Sequence, residues 1–125
     1  MAKKKILVVD NEQLICELLK QCLETIGSFD VFTCSVSTQA ISQVKTIRPD
    51  LVILDEQMPV MSGSDIAEKL KSDHSTENIP VVFLTGIITD QEIHQRGNMI
   101  GGHYFLSKPL KMDELADVVK ELLGV

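Results

Sequence analysis

"LVILDEQMPVMSG", residues 51–63, runs four aliphatic residues, Leu51 to Leu54, straight into two acids, Asp55 and Glu56, before Pro59 and Gly63 close the stretch. A segment apolar at every position, and not at alternate ones, reads as a strand covered on both faces, the signature of a parallel sheet. A carboxylate at the mouth of such a strand is held rigidly where a loop would leave it free.

Working outward, the chain repeats this pattern. Further strands are expected at Ile6–Val9, Phe29–Thr33, Val81–Leu84 and Tyr104–Leu106, and four of the five are near-continuously apolar. Stretches of helical period lie between them. Leu14, Ile15, Leu18, Leu19, Cys22, Leu23 and Ile26 make one stripe. Ala40, Ile41, Val44 and Ile47 make a second, stopped by Pro49, and Ile66, Ala67 and Leu70 a third. A fourth helix is expected from Thr89, with Thr89 and Glu92 as a capping box. The last carries Leu115, Val118, Val119, Leu122 and Leu123 and ends at Gly124. Five strand–helix units predict one α/β domain over residues 1–125, with an open five-stranded parallel sheet and helices on both faces. In such sheets ligands bind beyond the C-terminal strand ends, at the switch point of strand order.

Composition narrows the function. The 125 residues suffice for one core. No apolar run approaches the roughly 20 residues of a membrane helix, and "MAKKKILVVDNE" lacks an h-region and a cleavage site. A soluble, cytoplasmic protein is expected. The net charge of −6, from 12 basic and 18 acidic residues, argues against nucleic-acid binding by this chain. Cys16, Cys22 and Cys34 lack metal or redox spacing and read as reduced residues in or near the core. His74, His94 and His103 are too scattered for a shared metal.

The strand ends bring unlike groups together. Asp10, Asn11 and Glu12 follow the first strand, Asp55 and Glu56 the third, Thr85 and Gly86 the fourth, and Ser107, Lys108 and Pro109 the fifth. Singly, each has a plain explanation as a helix cap, a turn residue or a surface lysine. Together they suggest phosphoryl chemistry. Crowded carboxylates call for a cation. Mg²⁺ accepts one or two of them alongside waters and a phosphoryl oxygen. Lysine and threonine suit phosphate oxygens, and a carboxylate can be a nucleophile that forms aspartyl-phosphate.

With "ILVVDNE", "PDLVILDEQMPVMSG", "VVFLTG" and "GGHYFLSKPL" in place, the whole chain resembles the receiver domain of two-component response regulators. The resemblance implies a flavodoxin-like sheet of strand order 2-1-3-4-5. It implies that Asp55 is the phosphoacceptor, with Lys108 and Thr85 assisting. Glu56, Gly86 and Lys108 are then expected at the phosphoryl group, and Asp10, Asn11, Asp55 and the Gln57 carbonyl around Mg²⁺. Thr85 and Phe105 are the implied switch pair; Tyr104, one place off, points to the opposite face. The Lys108–Pro109 bond corresponds to one that is cis in the family. The implied partners are a sensor histidine kinase or histidine phosphotransfer protein and an unidentified effector, with no membrane. Phosphorylation would alter the face built from the fourth helix, fifth strand and last helix. The chain would then catalyse only its own modification and slow dephosphorylation, and would not be an enzyme acting on a separate metabolite.

Three departures matter. Asn11 replaces the second acid of the pair, which predicts weaker Mg²⁺ binding, with Glu12 as a possible substitute ligand. Ile87 puts apolar cover where a polar side chain would guide water, which predicts slow hydrolysis of the phosphoryl bond. Phe105 lacks a tyrosine's hydroxyl. Two rival readings stand beside the switch: a degenerate receiver that docks proteins without phosphorylation, and an aspartyl-phosphate phosphatase. The phosphatase would need a general acid where Gln57 stands. A stand-alone receiver and one cut from an effector domain are equally open readings.

Overall fold

The computed structural model describes residues 3–86, 99–100, 103–108 and 111–125, with only the backbone described at 99–100. The expected helix from Thr89, Ile87, His94 and the Lys108–Pro109 bond lie outside the described residues.

Strand β1 (Lys4–Val9) leads into helix α1 (Gln13–Ile26) and strand β2 (Phe29–Cys34). A 3-10 turn at Ser37–Gln39 precedes α2 (Ala40–Ile47), β3 (Leu51–Asp55) and α3 (Gly63–Lys71). Strands β4 (Val81–Thr85), β5 (Met99–Ile100) and β6 (His103–Ser107) follow, then α4 (Met112–Leu123). The sheet order is β2-β1-β3-β4-β6-β5 among the described residues. The five long strands are parallel and stand in the expected 2-1-3-4-5 order. The addition is β5, a two-residue antiparallel strand beside β6. It is too short to show a period of its own.

The continuous apolar runs are explained by two cores. On one face Ile6, Val8, Ile53, Val82 and Leu84 meet α1 and α4 through Cys16, Leu19, Leu23, Leu115 and Val119. On the other Leu7, Val9, Val52, Leu54 and Phe83 meet α2 and α3 through Ala40, Val44, Ile66 and Leu70. Successive strand residues point to opposite faces, so a strand buried on both must be apolar throughout. The cysteines are free, with Cys16 and Cys34 buried.

One stripe proves wider than the core it serves. On α1 the fully buried positions are Cys16, Leu19 and Leu23, whereas Leu14 is 76% exposed and Leu18 50%. The sheet covers only part of the apolar arc, and these two leucines fall outside it. Among the described residues no helix is long and apolar enough to cross a membrane.

Helix ends follow local chemistry. Arg48 closes α2 in a left-handed conformation (φ 53°), just before Pro49, and Gly124 closes α4 at φ 69°. The last helix has no side-chain cap at Lys111 but carries Asp113 and Glu114 in its first turn, where they complement the helix dipole. Helix α3 opens with a reciprocal capping box. The Ser62 side chain accepts from the Asp65 N–H, and the Asp65 carboxylate accepts from the Ser62 N–H, both at 3.1 Å. Replacing Ser62 with Ala is expected to cost about 1 kcal/mol, read as a lower urea midpoint at unchanged slope.

Candidate functional site

After β1 the chain passes to β2 on one side and then to β3 on the other, so the switch point lies between β1 and β3. Asp10 follows β1 directly and Asp55 is the last residue of β3. Both are buried, at 0% and 3% exposure. Lys108, one residue past β6, reaches across the strand ends to both. Its ammonium lies 3.2 Å from Asp55 Oδ1 and 3.4 Å from Asp10 Oδ2. Its backbone N–H donates to the Thr85 carbonyl at 2.9 Å, which fixes where that side chain begins.

The remaining bonds hold the carboxylates in place. Asp10 Oδ1 accepts from the Glu12 N–H at 2.9 Å, and Asp55 Oδ1 from the Gln57 N–H at 3.2 Å. The Asp10 backbone N–H donates to the Cys34 carbonyl, and the Cys16 thiol donates to the Asp10 carbonyl at 3.2 Å. Burial raises the Asp10 carboxyl above its ordinary value. The Glu12 N–H opposes this, the Asp55 charge adds to it, and Lys108 offsets part of it. Burial alone would lower the Lys108 ammonium, but Asp10 and Asp55 together outweigh that and hold it above its usual value. The buried Cys16 thiol is likewise pushed up, chiefly by desolvation and then by Asp10.

Of the residues singled out in the sequence, Asp10, Asp55 and Lys108 meet directly. Thr85 is buried at the end of β4, one residue beyond Leu84, the partner of Asp55 in the sheet. Asn11 and Gln57 are exposed beside the two acids. Gly86 is exposed, and a Cβ there would meet no atom of the described residues within 4 Å. Glu56 is engaged elsewhere. Its N–H donates to the Leu84 carbonyl, and its carboxylate accepts from the Ser64 hydroxyl at 2.7 and 2.8 Å, at the start of α3. Phe105 lies further down β6, stacked on Phe83. Tyr104 faces the other way and donates to Glu121 on α4 at 3.3 Å.

Sequence reasoning missed several supports. Gly63 stands where a Cβ would come within 2.6 Å of the Asp55 carbonyl oxygen, so the start of α3 packs against the backbone of Asp55. The offset of Gly63 from Asp55 was the available signal. Ser64, the partner of Glu56, carried no signal of its own. The intervening loop holds a γ-turn. The Met61 N–H donates to the Pro59 carbonyl at 2.9 Å across Val60, whose φ is 71° and which is 85% exposed. The Ser37 hydroxyl anchors this loop by donating to the Pro59 carbonyl at 2.7 Å.

Fold and site together define a doubly wound α/β protein with an acid–lysine centre at its switch point. The chain belongs to the response regulator receiver domain family, whose model matches residues 6–120. It is similar to the response regulator Rre1 of Synechocystis sp., at 37% identity over 120 residues, covering 95% of this chain and 51% of that protein. It is also similar to the DNA-binding response regulator MtrA of Mycobacterium tuberculosis, at 36% identity over 121 residues, covering 97% and 51%. Among solved structures, the signal receiver domain of a DNA-binding response regulator from Colwellia psychrerythraea superposes with a TM-score of 0.82 at 27% identity, covering 98% of this chain and all of that one. The chain spans about half the length of the curated relatives it matches.

Proposed function

We propose that this chain is a phosphorylation switch in which Asp55 accepts a phosphoryl group from the phosphohistidine of a sensor kinase or a histidine phosphotransfer protein. The supporting observation is the buried pair of carboxylates bridged by the Lys108 ammonium at 3.2 and 3.4 Å. An Asp55 oxygen attacks phosphorus, the P–N bond of the donor breaks, and the imidazole leaves. Lys108 then turns its charge to the phosphoryl oxygens, where electrostatic stabilisation contributes most. The product adds a charge of about −2 at a rigid strand end. Thr85 moves toward it and Phe105 follows, and the surface carried by β6 and α4 changes its partner preference. The covalent group need only favour one packing by a few kcal/mol.

Two carboxylates beside neutral carbonyls suit Mg²⁺, a hard ion that keeps several of its waters. Asp10, Asp55, the Gln57 carbonyl and the Asn11 side-chain carbonyl would hold it, and when bound it would neutralise charge on the phosphoryl oxygens. Among the described residues no three acidic, cysteine or histidine side chains gather as a metal cluster. Asn11 stands where an acid would add charge. Asn11→Asp is therefore expected to tighten Mg²⁺ binding about tenfold, as would follow from ~1.4 kcal/mol of added attraction. A titration showing equal affinity in the two proteins would remove Asn11 from the metal site.

Incubation with acetyl phosphate and Mg²⁺ tests the reading. The wild type is expected to gain the mass of one phosphoryl group, and Asp55→Ala to gain none. An equal gain in the variant would place the modification elsewhere. No gain in the wild type would select the second reading, a docking module, which the replacement of an acid by Asn11 favours. If this chain is a piece of a longer protein, the effector is the unidentified remainder or a separate partner.

A further inference from the structure

We infer that Phe83 is the positioning residue of the switch, both the seat on which the Phe105 ring rests and the link through which displacement of Thr85 reaches that ring. The link rests on the function proposed above; the seat does not.

The sheet register carries the inference. Phe83 on β4 is the direct partner of Phe105 on β6, and Thr85 is the partner of Ser107. Strand residues two apart share a face. Phe83 and Thr85 therefore stand in one column, next to a column of His103, Phe105 and Ser107. The Phe83 and Phe105 rings stack with centroids 5.2 Å apart and planes at 25°. The His103 ring meets Phe83 edge-on at 5.4 Å and 84°. Both geometries are favourable for aromatic pairs. Phe83 is buried, whereas Phe105 and His103 are each half-buried.

A backbone shift that carries Thr85 toward Asp55 must move Phe83, two residues earlier on the same rigid strand. The Phe83 face is the surface Phe105 packs on, so the ring loses or regains its stack as β4 moves. A cavity of about 310 Å³ beside the three rings, lined also by Ala67 and Lys71, gives the rings room to reorient. An aliphatic residue at position 83 would fill the core without offering a flat face. Phe83 thus does more than occupy volume, and a purely structural role predicts a different experimental outcome.

The experiment labels the phenylalanines with fluorine, four in the wild type and three in Phe83→Met, a swap that roughly conserves volume, and assigns the Phe105 resonance in both. In the resting protein the variant is expected to lose the ring-current offset of Phe105 and to expose that ring more to a soluble paramagnetic probe. With acetyl phosphate and Mg²⁺, Asp55 is expected to reach wild-type occupancy by intact mass, while the Phe105 shift change falls at least twofold. Unchanged resting spectra overturn the seat. An undiminished response at equal occupancy overturns the link. His103→Ala removes the edge contact from a half-exposed position and is expected to shift Phe105 in the same direction by less. It decides the seat if Phe83→Met does not fold. A wild type that takes no phosphoryl group defeats the proposed function and the link, and leaves the seat to the resting spectra.

Discussion

Lys108→Met is expected to slow transfer from acetyl phosphate to Asp55 by ~10²-fold or more, the usual scale for removing one charge-stabilising donor. The same change leaves two buried carboxylates facing each other without their shared cation. Resting stability at neutral pH should fall by on the order of 2 kcal/mol. This is less than the roughly 3–5 kcal/mol for breaking a fully buried pair, since solvent reaches part of the lysine. The pH dependence identifies the cause. Lys108 has a raised folded pKa, so its contribution is present below the ordinary lysine value and is lost only as pH rises through the folded one, above 10.5. Asp10 is an acid whose folded value is raised above 3.8, so its ionisation weighs against the fold as pH rises through that value. As pH falls through the Asp10 titration the repulsion disappears, and the gap between variant and wild type should close. Urea melts at neutral and acid pH measure this, and a gap independent of pH would assign the loss to packing of the lysine stem.

The second large effect is expected at Gly63→Ala. The added methyl would stand 2.6 Å from the Asp55 carbonyl oxygen and 3.1 Å from the Glu56 Cα, both backbone atoms that cannot rotate away. Overpacking of this kind costs about 1–3 kcal/mol, and the upper end is expected because α3 or the loop must shift as a unit. Displacing the Asp55 backbone should also slow phosphorylation. Gly86→Ala is the control, because its methyl meets nothing within 4 Å among the described residues, and a change within about 0.5 kcal/mol is expected. Equal effects in the two variants would mean that loss of glycine itself, and not the close approach, governs stability.

The parallel sheet was legible because Leu51–Leu54 and its counterparts are apolar at every position, which only two-sided burial explains. The meeting of Asp10, Asp55 and Lys108 followed, since side chains just past parallel strand ends share one edge of the sheet. What stayed hidden depended on distances that no periodicity carries. Leu14 and Leu18 read as core because an apolar arc on a helix does not reveal how much of it a sheet will cover. The Ser62–Asp65 box is obscured in the sequence by the loop residues that precede it, while the capping box expected at Thr89 lies outside the described residues. The attachment of Glu56 to Ser64 and the fit of Gly63 against Asp55 are tertiary contacts across a loop. Spacing hints at them and only coordinates resolve them.

The turn at Val60 has a practical consequence. A branched residue held at positive φ raises the energy of the folded chain, yet its side chain is 85% exposed and belongs to neither core among the described residues. Sequence drift can therefore relieve it with no repair elsewhere. An engineered, more robust form of the domain would begin at this outer loop and leave the interior as it stands.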